Sequence, residues 1–150
     1  MDLILWRHAE AVDSAPDLER SLTEKGLGQA RAMAAWLRPQ LPKRWRLISS
    51  PARRARQTAE ALSKDMRLAP EIAPGAGYAS ILAAAGWPDA EGAVIVVGHQ
   101  PTLGETAAAL LAGRELSWSV RKGAIWWIAN RVRNEDAQVV LRAVMSPDML

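Results

Sequence analysis

The chain has 150 residues, a length that predicts one folded domain, 1–150, with room for a real core. A composition of 49% hydrophobic and 23% charged residues argues against a disordered or fibrous chain, and the absence of cysteine excludes disulfides, thiol catalysis and cysteine-rich zinc sites. The net charge of +3, with 19 Lys and Arg against 16 Asp and Glu, suits an anionic ligand or partner without deciding which.

Most of the cations are arginine, whose planar fork matches oxyanions. No basic segment precedes a small-residue cleavage site at the amino terminus, and no apolar run approaches the roughly 18 residues of a membrane span. A cytoplasmic location with no membrane partner is the expectation.

In chain order, the apolar and branched run Asp2–Trp6 predicts a buried strand. "SLTEKGLGQARAMAAWLRPQL" predicts a helix with Thr23 as N-cap and an apolar face of Leu27, Ala30, Met33, Ala34 and Leu37, stopped by Pro39. Trp45–Ile48 predicts a second strand. In "SPARRARQTAEALSKDM", Ser50 is the expected cap of a helix with Pro51 at its first position. Leu68–Ile72 is expected as a weaker third strand, and "YASILAAAG" as a short helix closed by Gly86. Ala93–Val97, bounded by Gly92 and Gly98, reads as a strand covered on both faces. Pro101–Leu111 is expected as a helix ending at Gly113. "GAIWWIAN" and "AQVVLRAVM" follow as two strands around "RVRNED", packed antiparallel. This alternation predicts an α/β fold of three layers, a mainly parallel sheet flanked by helices.

Open parallel sheets bind ligands beyond the carboxyl ends of their strands. The predicted strands put three segments there: Arg7-His8, "SSPARRARQT" and Gly98-His99-Gln100. The chain has only two histidines, and both fall at equivalent strand-to-helix junctions, one beside an arginine. Helix amino termini at this rim also favour an anion. Each imidazole alone reads equally well as a surface or capping residue. Consecutive arginines on a helix mostly face solvent, since at about 100° per residue only one or two of them share a direction. His8-Ala9-Glu10 has the H-x-E form of zinc deaminases, but those need a P-C-x-x-C partner that is missing here, and Arg7 repels a cation.

Together, "LWRHAEA", "SSPARRARQTAE" and "VVGHQPTL" resemble the R-H-G/A, S-P-x-x-R-x-x-Q-T and second-histidine motifs of the histidine phosphatase superfamily, whose fold is phosphoglycerate-mutase-like. The short length, "RHAEA", "RSLTEKG" and the terminal "VMSP" are similar to its SixA-type phosphohistidine phosphatase branch. The resemblance extends from residue 1 to about residue 147. It implies that His8 is the nucleophile, that Arg7, Arg54 and His99 form the phosphate pocket, and that Arg20 assists substrate binding. Arg53 and Arg56 are left as solvated residues. The resemblance further implies no metal and no organic cofactor.

A nucleophilic histidine needs a neutral nitrogen, which neighbouring guanidiniums favour and a backbone carbonyl on the other ring nitrogen orients. Phosphoryl transfer then requires mainly positioning and charge stabilisation, and a covalent phosphohistidine splits hydrolysis into two steps. One departure from the superfamily stands out. Many members carry an acidic proton donor in or after the segment following the third strand. Here that region offers only Glu71, expected within the strand itself. The resulting expectation is a phosphatase acting on a phosphohistidine-bearing protein, such as a histidine phosphotransfer domain. The alternatives are a small phosphorylated metabolite as substrate, or a non-catalytic basic module that binds phosphate or nucleic acid. The last has only charge in its favour, since no basic stripe is interleaved with aromatics and the seven tryptophans are expected to be mostly buried.

Overall fold

The computed structural model describes residues 1–150. Its strands are β1 (Asp2–Arg7), β2 (Trp45–Ser49), β3 (Arg67–Leu68), β4 (Ala93–Gly98), β5 (Ile125–Arg133) and β6 (Asp136–Met145). Its α-helices are α1 (Glu24–Leu37), α2 (Arg53–Glu60), α3 (Tyr78–Ala85) and α4 (Thr102–Ala112).

One sheet runs in the order β3-β2-β4-β1-β5-β6. β3, β2, β4 and β1 pair in parallel, whereas β5 joins β1, and β6 joins β5, antiparallel. Side chains alternate across a strand, so β1 sends Leu3 and Leu5 to one face and Ile4 and Trp6 to the other. The first pair packs with Ile81 and Ala85 of α3 and Leu103 and Ala107 of α4. The second packs with Met33, Ala34 and Leu37 of α1 and Ala55 and Ala59 of α2. Both faces are therefore covered, and all six residues of β4 are buried. Burying a Leu, Ile or Val side chain contributes about 1.5–3 kcal/mol, which makes this double layer the main source of stability.

Helix α1 starts where its sequence says it should, because the Thr23 hydroxyl oxygen accepts from Gly26 N at 2.9 Å. Helix α2 does not. Ser50 Oγ already serves Ala52 N and His99 Nε2, so the N-cap is Ala52 and Pro51 lies outside the first turn. The third strand is also shorter than expected. Pro70 has no N–H to continue the ladder, and the chain turns into a 3-10 helix, Pro70–Ile72, which contains Glu71. In the last hairpin the turn narrows to Asn134 and Glu135, both with positive φ (49° and 68°), and the strands absorb most of "RVRNED". Trp6 and Trp127 are buried, and the other tryptophans are half-buried.

A strap without regular structure, residues 114–122, passes over the start of α4. Gln100 holds it there: its side chain accepts from Gly104 N (2.7 Å) and donates to Trp118 O (2.9 Å). The approach is so close that a Cβ on Gly104 would lie 1.7 Å from Trp118 O. Gly28, on the exposed side of α1, has nothing within 4 Å. Two alanine substitutions should therefore move stability in opposite directions in urea unfolding. Gly104→Ala is expected to cost about 1–3 kcal/mol or more by overpacking, and Gly28→Ala to add about 0.5–1 kcal/mol through helix propensity. Equal stability of Gly104→Ala and the parent chain would contradict the packing described.

Candidate active site

The neighbouring strands β2, β4 and β1 point their carboxyl ends the same way, and the residues that follow them meet. His8 leaves β1 with its backbone held from both sides, its N–H donating to Gly98 O (3.1 Å) and its carbonyl accepting from Gly123 N (3.0 Å). Arg7, the last residue of β1, donates from Nη1 to Val120 O in the strap (2.9 Å). Its Nε is buried without a partner in the chain. Ser50 follows β2 with its N–H on Val97 O (3.0 Å) and places its hydroxyl 2.8 Å from His99 Nε2, just beyond β4.

Arg54 joins these groups. On α2 it shares the buried face with Ala55, Thr58 and Ala59 and is only 4% exposed, while Arg53 is exposed and Arg56 bends back to Pro51 O. Arg54 Nε donates to His8 Nε2 at 3.3 Å, and one terminal nitrogen lies 3.4 Å from His99 Nδ1. The two imidazole centroids are 5.2 Å apart. A guanidinium can only donate, so both nitrogens facing it carry lone pairs. The protons therefore sit on the far side of each ring. His8 Nδ1–H donates to Ala9 O (2.8 Å) and His99 Nε2–H donates to Ser50 Oγ.

Electrostatics reinforce this state. Burial, followed by the charges of Arg54, Arg7 and Arg20, lowers the His8 pKa to about 4 against the opposing bond to Ala9 O. His99 is pushed down to about 3 by burial, then by His8 and Arg54. Both rings are neutral at physiological pH inside a shell of cations, which suits an incoming anion.

Arg20, the fifth predicted site residue, lies near enough for its charge to act on His8, but its guanidinium is occupied. Nε donates to Val12 O (2.8 Å), and Nη1 meets Asp17 Oδ1 (3.2 Å). Asp17 went unnoticed in the sequence. It also accepts two bonds from Arg54, through its carbonyl (2.8 Å) and Oδ2 (3.2 Å). Nothing in a polar loop separates such a residue from Asp13, since only the returning chain brings it to α2. The roles of Gln57 and Thr58 were more accessible. Thr58 lies four residues after Arg54 and so on the same helix face. Its Oγ1 accepts from Ala9 N (3.0 Å), and Gln57 Oε1 accepts from Leu22 N (2.7 Å). Glu71 is not part of the site. It is exposed and ion-paired with Arg67 at 2.9 Å.

Hollows of about 410 and 460 Å³ lie around Trp45 and Arg46 at the opposite end of β2 and hold no nucleophile–base arrangement. No three His, Asp or Glu side chains are grouped to hold a metal. The four convergent groups can bind a tetrahedral oxyanion and offer a neutral nitrogen to it.

Comparison with known proteins agrees with this geometry. The family model described as histidine phosphatase superfamily (branch 1) matches residues 3–76. The phosphohistidine phosphatase SixA of Escherichia coli (strain K12) is 33% identical over 122 residues, covering 75% of this chain and 76% of that protein. An uncharacterized protein of Picosynechococcus sp. is 37% identical over 127 residues, covering 76% and 75% respectively. A solved structure of the protein histidine phosphatase SixA complexed with tungstate aligns with a TM-score of 0.77 at 29% identity, over 99% of each chain. The six-stranded α/β sheet is thus the SixA-like, phosphoglycerate-mutase-like fold. The chain belongs to the histidine phosphatase superfamily, as a SixA-type member.

Proposed function

We propose that residues 1–150 act as one catalytic domain, a metal-independent phosphatase that removes phosphoryl groups from phosphohistidine on a protein. His8 is the nucleophile. Its Nε2 lone pair forms a bond to phosphorus as the donor bond breaks, and water then takes the phosphoryl group and restores the imidazole. Arg7 and Arg54 bind the equatorial oxygens, on which charge builds in transfer. His99 joins them by taking up a proton on Nδ1 as the anion displaces Arg54 from that nitrogen. Arg20 supports substrate binding through the loop it holds. The observation that carries this reading is the Arg54 Nε contact to His8 Nε2 with Nδ1 tied to Ala9 O. It leaves Nε2 neutral and unprotonated inside an anion site, its lone pair held by Arg54 until a phosphoryl group displaces that contact.

What surrounds the pocket supports this substrate class. With Glu71 turned away on the surface, the region after β3 supplies no acid to protonate a leaving alkoxide. General acid catalysis is worth about 100- to 10,000-fold for such leaving groups. Imidazole needs much less help because its other nitrogen takes up a proton before the bond to phosphorus breaks. The SixA relative named as a phosphohistidine phosphatase supports the same choice, and tungstate, a tetrahedral oxyanion, in the solved relative supports an oxyanion pocket.

Four outcomes test the assignment. Against a histidine-phosphorylated protein, His8→Ala is expected to abolish turnover, while Arg54→Ala and His99→Ala lower kcat by about 100- to 1000-fold. Retention of more than a few per cent of activity by His8→Ala would remove it as nucleophile. In side-chain NMR, neither imidazole should show an inflection above pH 5, given values of about 4 and 3. A midpoint near the ordinary 6.5 for either ring would contradict the neutral, guanidinium-facing state. By linkage the unfolded chain binds these protons first, so stability should fall as pH drops from about 6.5 toward 4. Finally, turnover should survive excess EDTA and be inhibited by vanadate. Loss on chelation with recovery in zinc or magnesium would establish a metal requirement.

A further inference from the structure

The pocket holds one anionic group that the reaction as described leaves unused. Asp17 opens the 3-10 turn Asp17–Glu19 and bridges Arg20 and Arg54 through its two carboxylate oxygens. A carboxylate beside an anion site works against substrate binding by plain Coulomb repulsion. Its charge reaches His99, where it opposes the fall of that ring's pKa. Desolvation pushes its own carboxyl up, but bonds and charges from Arg20 and Arg54 outweigh this and hold it below the usual range. Asp17 is therefore an ionised acceptor and a poor proton donor.

Its position relative to the reacting atoms is informative. His8 Nδ1 is anchored to Ala9 O, so Nε2 attacks from the floor of the site. Phosphoryl transfer is roughly in line, which puts the leaving atom on the side opposite Nε2. His8 and His99 are 7% and 5% exposed, so a phosphoryl group carried on a protein reaches these rings from the solvent side and its carrier occupies the mouth. The Asp17 side chain, 55% exposed and one guanidinium away from both rings, stands at this mouth.

We infer that Asp17 determines specificity for phosphoryl groups carried on imidazole: its carboxylate accepts the ring N–H of the leaving group and its charge disfavours groups that depart as oxyanions. This rests on the phosphohistidine reading above. As the donor P–N bond breaks, its electron pair returns to the departing nitrogen, and the His8 Nε2 lone pair forms the new P–N bond. The departing ring leaves neutral because its other nitrogen keeps the proton bonded to Asp17. That proton comes from solvent before transfer, so the step itself needs no further proton and no co-reactant. An ester oxygen, in contrast, gains negative charge within the field of the carboxylate. The same residue thus helps one class of substrate and hinders the other.

The test compares Asp17→Asn with the parent chain on three probes: a histidine-phosphorylated protein, p-nitrophenyl phosphate and inorganic phosphate. Losing a charge-assisted hydrogen bond should lower kcat/KM on phosphohistidine by about 10- to 100-fold. On p-nitrophenyl phosphate kcat/KM should rise severalfold, and phosphate should bind more tightly. Opposite signs are the signature, because a residue that merely holds Arg54 in place would lower all three together. Parallel losses, no change on either substrate, or a fall on the ester alone would each overturn the inference while leaving the phosphohistidine reading intact. A parent chain that turns over p-nitrophenyl phosphate but not phosphohistidine would overturn that reading, and this inference with it.

Discussion

The site depends on a single obligate donor placed between two imidazoles. Arg54 can offer only N–H groups, so His8 Nε2 and His99 Nδ1 must both face it with lone pairs. This one constraint selects the tautomer of each ring, keeps both neutral and gathers positive charge where an oxyanion will sit. Either imidazolium beside that guanidinium would face direct repulsion in a poorly solvated pocket, where Coulomb terms are several times stronger than in water. Burial first, and the neighbouring charges after it, hold the two pKa values at about 4 and 3.

Such an arrangement survives only if the surrounding backbone is rigid. Three adjacent strand ends supply the base, and side chains from distant segments lock what projects from it. Thr58 Oγ1 donates to Arg54 O (2.8 Å) and accepts from Ala9 N, so the arginine and the loop after His8 are tied to one hydroxyl. Glu10 continues the lock. Its N–H donates to Gln29 (3.0 Å) and its carboxylate accepts from the Thr23 hydroxyl (2.8 Å), fixing the loop to the start of α1. On the other side Gln100 and Gly104 seat the strap whose Val120 carbonyl steadies Arg7. Much of what reads as a catalytic motif is scaffolding: in the run Arg54 to Thr58 the arginine faces the pocket, while Gln57 and Thr58 hold the chain around it.

The electrostatic design is asymmetric. Cations line the inner wall and Asp17 stands at the entrance, held in its charged form by Arg20 and Arg54. A pocket built only to bind phosphate would gain from omitting that carboxylate. Arg20 acts at one remove here, by anchoring Asp17 and the Val12 carbonyl instead of turning its guanidinium fully to the pocket.

The sequence by itself determined the layers, the long elements and the identity of four convergent groups. Hydrophobic periodicity marked β1, β4 and α1, and both histidines fell at strand ends where a parallel sheet collects its ligands. These features are local, or follow from the general handedness and layering of α/β folds, so a linear pattern carries them; Arg54, one of a run of arginines, was singled out only by the resemblance. What depended on competition for hydrogen bonds was decided by the tertiary structure. Ser50 read as a helix cap, but His99 and Ala52 N claimed its hydroxyl, and α2 began at Arg53 instead. Glu71 read as a strand residue, yet Pro70 ended the ladder and Arg67 drew the carboxylate to the surface. Asp17 carried no sequence signal, because its importance comes from a loop that returns 37 positions from its partner Arg54. Local propensity fixes where a helix or strand can form, whereas the partner of a polar side chain is set by whichever distant group the fold brings within about 3 Å.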